Sequence, residues 1–148
     1  MDKGKIQIKL GKDVVAKELY ALRHSMNRGD NKHICADSDS TIDAYLFTVL
    51  ARNPAGKLVG YVSAFSDELH STLINELLVH PDYQHRGVGG ALLKEVELRY
   101  PGLPMHTCCP GDQVGFFIRQ GFILPTQDMR LVSKTRMVMR ESVCFPVC

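Results

Sequence analysis

Apolar and polar residues alternate over Ile6-Gln-Ile-Lys-Leu10, the period of a half-buried strand. From Asp13, a residue suited to capping a helix, Val15, Leu19, Leu22 and Met26 recur at helical spacing. Asn27–Ser40 is polar, with Gly29 and several Asp and Ser residues, and reads as a connection with a short helix near Ser40–Ala44. Two β-rich runs, Tyr45–Arg52 and Lys57–Ser66, flank Asn53-Pro-Ala-Gly56; Pro54 suits the second position of a turn, so they predict a hairpin. Thr72–Val79 is the third strand of this meander. A helix from Gly89 buries Leu92, Leu93, Val96 and Tyr100, with Glu95 four residues before Arg99, and Pro101-Gly102 stops it. Leu103–Cys108 reads as a short strand, and Pro110-Gly-Asp opens a helix that ends at Gly121. Strands near Phe122–Leu124 and Thr135–Ser142 complete the count. The expected architecture is α/β: a mixed central sheet of about seven strands with helices on both faces. No repeat or linker divides the chain, so residues 1–148 read as one domain.

The join between the third meander strand and its helix carries the chemistry. It runs Glu76-Leu-Leu-Val-His-Pro-Asp-Tyr-Gln-His-Arg-Gly-Val-Gly-Gly-Ala-Leu-Leu93. Gly87, Gly89 and Gly90 let the backbone approach a ligand closely. The helix adds its unpaired first-turn amides and the positive end of its dipole. Together these make a site for pyrophosphate. A dinucleotide fingerprint would need a third glycine where this chain has Leu92, and no Gly-Lys-Ser/Thr of a Walker A loop occurs.

The stretch resembles motif A of the GNAT acetyltransferases, whose core is Gln/Arg-x-x-Gly-x-Gly/Ala. Here that core is Gln84-His-Arg-Gly87-Val-Gly89, preceded by Val79-His80-Pro81 for the usual Val-x-Pro. A second resemblance is Phe116-Phe117-Ile-Arg-Gln-Gly121-Phe122, similar to the Tyr-x-x-x-Gly-Phe of motif B. The order of elements is also that of the GNAT fold. The resemblance implies that the strand ending at Val79 and the strand Leu103–Cys108 splay apart, with the pantetheine arm of acetyl-CoA lying in the V. Gln84, His85, Arg86, Gly87, Val88, Gly89, Gly90 and Ala91 would hold the pyrophosphate, and Leu77, Leu78 and Val79 would align the pantetheine. The implied activity is transfer of an acetyl group from acetyl-CoA directly to a primary amine.

Such a reaction needs an acceptor for the amine proton, stabilisation of the thioester oxyanion and a leaving thiolate. The resemblance implies that a main-chain N–H at a bulge of the fourth strand serves the oxyanion, matched by Leu78 or Val79. Glu76, a carboxylate inside an apolar strand, is the candidate proton acceptor; its other reading is a strand residue facing solvent or paired with a lysine. His80 and His85 read as surface residues of the phosphate loop, and His106 is a weaker relay. The family tyrosine that protonates the thiolate falls on Phe117, which keeps the ring but lacks the donor. Arg119 can reach a coenzyme phosphate or face water. Two rival readings stand beside the enzyme: a non-catalytic acyl-CoA-binding regulator, and a partner-binding protein that uses the scaffold as structure only.

Composition narrows the setting. Hydrophobic content of 45% and charge of 23% suit an ordinary soluble globule. No apolar run approaches 18 residues and Met1-Asp-Lys-Gly begins no signal peptide, so no membrane association is expected. A formal charge of +2 does not argue for nucleic acid; the lysines near the start and the basic residues 130–140 read as solvated strand faces. Five cysteines without C-x-x-C spacing point to reduced thiols of a cytoplasmic protein and to no metal. The expected partners are acetyl-CoA and a small-molecule or protein amine, bound by a monomer or homodimer.

Overall fold

The computed structural model describes residues 4–11, 13–26 and 47–128. The connection expected over Asn27–Ser40 and the strand expected over Thr135–Ser142 lie outside these residues. Five strands are described: β1 (Gln7–Leu10), β2 (Phe47–Arg52), β3 (Leu58–Ser66), β4 (Thr72–Val79) and β5 (Met105–His106). They form one mixed sheet in the order β1-β2-β3-β4-β5, antiparallel except for the parallel pair β4–β5. Three α-helices accompany it: α1 (Ala16–Ser25), α2 (Val88–Arg99) and α3 (Val114–Arg119). Among the described residues the sheet therefore has five strands, not seven.

The sheet is buried on both faces, which is why β2 and β3 read as apolar runs without clean alternation. On one face Val49, Ala51, Val62, Ile74 and Leu77 pack against Leu92, Leu93 and Val96 of α2. On the other, Leu50, Leu58, Tyr61 and Leu78 pack against Leu19 and Leu22 of α1. Gly60 sets how closely α2 can lie: a Cβ there would stand 3.0 Å from Leu92 Cδ1 and 3.1 Å from Val88 Cγ1. Asn75 is an extra residue in β4, since Ser63 pairs with Glu76 and Ala64 with Ile74. This bulge resets the alternation. Ile74 and Leu77 consequently share the α2 face, while Glu76 and Leu78 turn toward α1.

Three local expectations change. Asp13 does not cap α1; the chain stays extended through Val15, whose N–H donates to Glu18 Oε2 at 3.4 Å. Arg99 does not turn to Glu95 but donates to Glu68 Oε1 in the β3–β4 turn at 3.1 Å. Residues Phe122–Leu124 form no strand, because the Phe122 N–H closes α3. It donates to Phe117 O at 3.0 Å while the Gly121 N–H donates to Ile118 O at 3.0 Å, with Gly121 left-handed at φ 90°. This is a Schellman cap, and its usual hydrophobic contact is the Phe117–Phe122 ring pair at 5.2 Å.

Arg52 ties the start of α1 to the β2–β3 hairpin. Its guanidinium donates to both Glu18 carboxylate oxygens at 2.7 and 3.0 Å, to Asp13 O and to Gly56 O. The hydrogen bonds from Arg52 hold the Glu18 carboxyl below the usual carboxylate range. A lowered folded pKa means that the pair stabilises the fold above about pH 4.5 and that this contribution fades as pH falls through the lowered value. Both side chains are partly exposed, so the effect is modest. Glu18→Gln is expected to cost about 0.5–1 kcal/mol at pH 7 by denaturant unfolding, with the gap to wild type narrowing below pH 4.5. A gap of the same size in strong acid would rule out the ion pair as its source.

Candidate active site

β4 and β5 pair only through Thr72 with Met105 and Leu73 with His106. Pro104 precedes the pair, its carbonyl accepting from the Thr72 N–H at 2.9 Å, and the Thr107 hydroxyl donates to Ile74 O at 3.3 Å where the strands part. The strand expected over Leu103–Cys108 is thus two residues long, and β4 runs on from Asn75 to Val79 without β5 beside it. The His80 N–H donates to Val59 O at 2.8 Å. Antiparallel alternation then aims Leu78 and Glu76 at Tyr61 and Ser63, their partners on β3. The N–H groups of Leu77 and Val79 face the side that β5 has left. Leu78, expected to align a ligand, instead has a 1% exposed side chain in the α1 core. The bulge itself lies at Asn75, not beside Leu78 or Val79.

Beyond Val79 the chain turns through a 3-10 segment, Pro81–Tyr83, and a loop to α2. The Gln84 carboxamide donates to Val79 O at 2.9 Å, and Asn53 reaches the Tyr83 hydroxyl at 3.1 Å, so the loop is tied to the sheet at two points. His85 (φ 57°) and Gly87 (φ 80°) are both left-handed; for the histidine this is a strained conformation of the kind found at ligand-holding loops. Gly87 is the N-cap of α2, with no side-chain cap. The helix begins at Val88, one residue before the expected start. Val88, Gly89 and Gly90 supply its unpaired first-turn amides. Ala91 does not, because its N–H already donates to Gly87 O at 2.9 Å. Arg86 is exposed and stacks on the Tyr83 ring at 5.4 Å.

These pieces open into one cleft of about 570 Å³ between the free edge of β4, the N-terminus of α2 and one face of α3. It brings together Leu77, Val79, Gln84, His85, Gly87, Val88, Gly89, Gly90, Phe117 and Arg119 of the expected site. Glu76, Leu78, Arg86 and Ala91 do not line it. Met26, Asp112, Gln113, Gly115, Phe116 and Gln120 line it without having been expected to. The signal for three of these was helical spacing: Asp112, Phe116 and Gln120 recur at intervals of four, beside the expected Arg119. Arg119 lies back over α3, its Nη1 3.4 Å from where a Gly115 Cβ would stand. Phe117 is 3% exposed, held edge-on between Phe116 and Phe122. His106 is exposed and outside the cleft.

Glu76 is neither solvent-facing nor paired with a lysine. Its two carboxylate oxygens accept from Arg23 Nε at 2.8 Å and Nη2 at 2.7 Å, with Arg23 7% and Glu76 2% exposed. Taking up an amine proton would require breaking a buried bidentate pair, so this position runs against the expected role as proton acceptor. A charge stood in each apolar pattern: Arg23 interrupts the Leu19-Leu22-Met26 stripe as Glu76 interrupts β4.

An uncapped helix N-terminus beside a strand edge that has no neighbouring strand among the described residues is an arrangement for a phosphate-bearing ligand with an amide-containing arm. Comparison with known proteins gives the family. A model described as "Acetyltransferase (GNAT) domain" matches residues 43–124, more than half of the chain. The chain belongs to the GNAT acetyltransferase family. It is 32% identical over 91 residues to an uncharacterized N-acetyltransferase, ycf52, of Gracilaria tenuistipitata var. liui. That match covers 60% of this chain and 49% of the relative, so the chain spans about half the length of the curated relative it matches. Among solved structures, a GNAT-family acetyltransferase from Streptococcus pneumoniae TIGR4 is similar at TM-score 0.69 and 22% identity, over 88% of this chain and all of that one. The aminoglycoside N-acetyltransferase AAC(6')-Iy, solved in complex with CoA, is similar at TM-score 0.65 and 16% identity, covering 92% and 98% of the two chains.

The glycines of the loop have separable roles. Nothing lies within 4 Å of a Cβ built on Gly87, so Gly87→Ala is expected to cost about 1–2 kcal/mol through its left-handed φ alone. A Cβ on Gly89 would meet Phe116 Cζ at 3.0 Å and Val79 Cγ2 at 3.6 Å. Gly89→Val should therefore push α3 from α2 and weaken acetyl-CoA binding at least tenfold, about 1.4 kcal/mol by calorimetry. Unchanged affinity in a folded Gly89→Val protein would remove this loop from the site.

Proposed function

We propose that this chain transfers an acetyl group from acetyl-CoA to a primary amine by direct transfer. The observation that carries the reading is the single cleft in which the first-turn amides of α2 and the free-edge amides of β4 face the same space. The residues present fit acetyl-CoA: Val88, Gly89 and Gly90 would hold its pyrophosphate, with Gln84, His85 and Arg119 around it. Leu77 and Val79 stand two residues apart, their N–H groups about 7 Å from one another along the strand, suited to the amide-containing arm. When bound, acetyl-CoA supplies the activated acyl group as a thioester. The Leu77 N–H lies farther from the pyrophosphate loop than that of Val79, so we assign it to the thioester oxygen, where negative charge develops. Val79, whose carbonyl is already tied to Gln84, aligns the arm. Met26, at the end of α1, also lines the cleft, and we place the amine beside it. Holding donor and amine together supplies much of the acceleration.

No helix of the described residues is long and apolar enough to cross a membrane. We place the reaction in the cytoplasm, which fractionation would test. A non-catalytic acyl-CoA-binding regulator is the second reading, favoured by two observations: Phe117 lacks a hydroxyl, and Glu76 is sealed in its pair. Calorimetry with acetyl-CoA, followed by a panel of small and peptide amines with thiol detection, decides between them. Binding with thiol release that depends on an amine supports the enzyme. Binding without transfer supports the regulator, and absence of binding overturns both.

Phe117 offers a sharper test. A thiol near pKa ~8.5 leaves tolerably as thiolate near neutral pH. A positioned acid contributes about 10²–10⁴-fold, and for this leaving group the lower end is expected. Phe117→Tyr should retain the fold, keeping the ring contacts to Phe116 and Phe122, and raise turnover at least several-fold. A flat response would mean that another group already protonates the thiolate and that Phe117 only packs.

A further inference from the structure

The pair between Arg23 and Glu76 spans from α1 to β4 at a place where β4 needs support. Upstream, β4 is flanked by β3 and β5; from Glu76 onward β3 is its one strand neighbour among the described residues. Glu76 is the first residue after the bulge and the neighbour of Leu77, whose N–H faces the cleft. Arg23 lies in the last turn of α1, three residues before Met26, which lines the cleft; the Met26 N–H donates to Arg23 O at 3.2 Å. Arg52 fixes the first turn of α1 through Glu18, but the apolar contacts farther along the helix are non-directional and leave its last turn free to shift. Two parallel N–H···O bonds between planar groups are directional and fix both distance and angle. A buried ion pair of this kind adds little net stability relative to well-packed apolar residues, so its value lies in geometry.

We propose that Arg23 and Glu76 are positioning residues: their buried pair braces the part of β4 that β5 has left against the last turn of α1. The brace fixes the Leu77 and Val79 amides relative to Met26 and thereby the width of the cleft on the acceptor side. The role in acceptor turnover rests on the proposed acetyl transfer; the brace itself does not. Glu76 then moves no proton, and the amine must lose its proton to water or to another group.

Two variants test this. Glu76→Gln removes the carboxylate charge that the buried Arg23 guanidinium faces on β4, while Arg23→Met with Glu76→Leu replaces the pair by apolar groups. The single variant is expected to melt below wild type and the double variant near or above it. In the free protein, amide hydrogen exchange at Glu76 and Leu78, whose N–H groups pair with β3, should quicken at least tenfold in both variants, while amides central to β2 and β3 stay unchanged in the double variant. Wild-type exchange across β4 in the double variant overturns the brace, whatever the activity proves to be. With a productive amine, the double variant should lose at least tenfold in kcat/KM, a larger factor than it loses in acetyl-CoA affinity. Glu76→Gln should lower kcat at every pH without changing the shape of the profile. Loss of a limb of that profile would make Glu76 the proton acceptor and overturn the positioning role. Retention of wild-type kcat/KM in the double variant would overturn it as well. If wild-type protein binds acetyl-CoA but acetylates nothing, the enzymatic reading fails while the exchange data still decide the brace.

Discussion

Everything at this site follows from two parallel strands that pair for only two residues. Because β5 leaves β4 after Leu73, the Leu77 and Val79 N–H groups of β4 have no strand among the described residues to receive them. In a sheet interior such an edge would be costly; in a cleft it becomes a row of donors at fixed spacing. The Thr107 hydroxyl at the point of parting and the bulge at Asn75 bound this segment at one end. The α2 N-terminus bounds it at the other. A ligand with phosphates at one end and amides along its length satisfies both sets of donors at once, and the GNAT membership of the chain accords with that requirement.

The remaining elements keep this opening in shape. Gly60 lets α2 lie directly on β3, which places its first turn level with the end of β4. Tyr83, anchored by Asn53 and stacked beneath Arg86, holds the connecting loop from outside the cleft. The Schellman cap of α3 directs Phe122 onto Phe117 and so turns Phe116 toward Gly89. Gly121-Phe122 therefore reads physically as a helix stop that packs the wall of the cleft, not as the beginning of a strand.

Much of this was legible in the residues. Patterns of period two and 3.6, with turn residues between them, delimited the meander and α2, and Thr72–Val79 matched to the residue. The glycines of motif A located the uncapped helix. What could not be read depended on tertiary partners. Asp13 looks like a cap, yet Arg52 holds its carbonyl in an extended segment. Leu77 and Leu78 are alike in sequence, and only the position of a bulge decides which amide faces the cleft. Glu76 looked like a catalytic carboxylate because a charge in an apolar strand demands an explanation. The explanation was a second charge 53 residues away, in the apolar stripe of α1.

The central claim is that the free edge of β4 and the first turn of α2 bind one ligand together. Amide-resolved hydrogen exchange with and without coenzyme A measures this directly. Protection should rise at Leu77, Val79, Val88, Gly89 and Gly90 on adding coenzyme A, while Leu78, already paired with β3, should change little. Protection confined to the helix N-terminus, or equal gains at Leu77 and Leu78, would contradict the account.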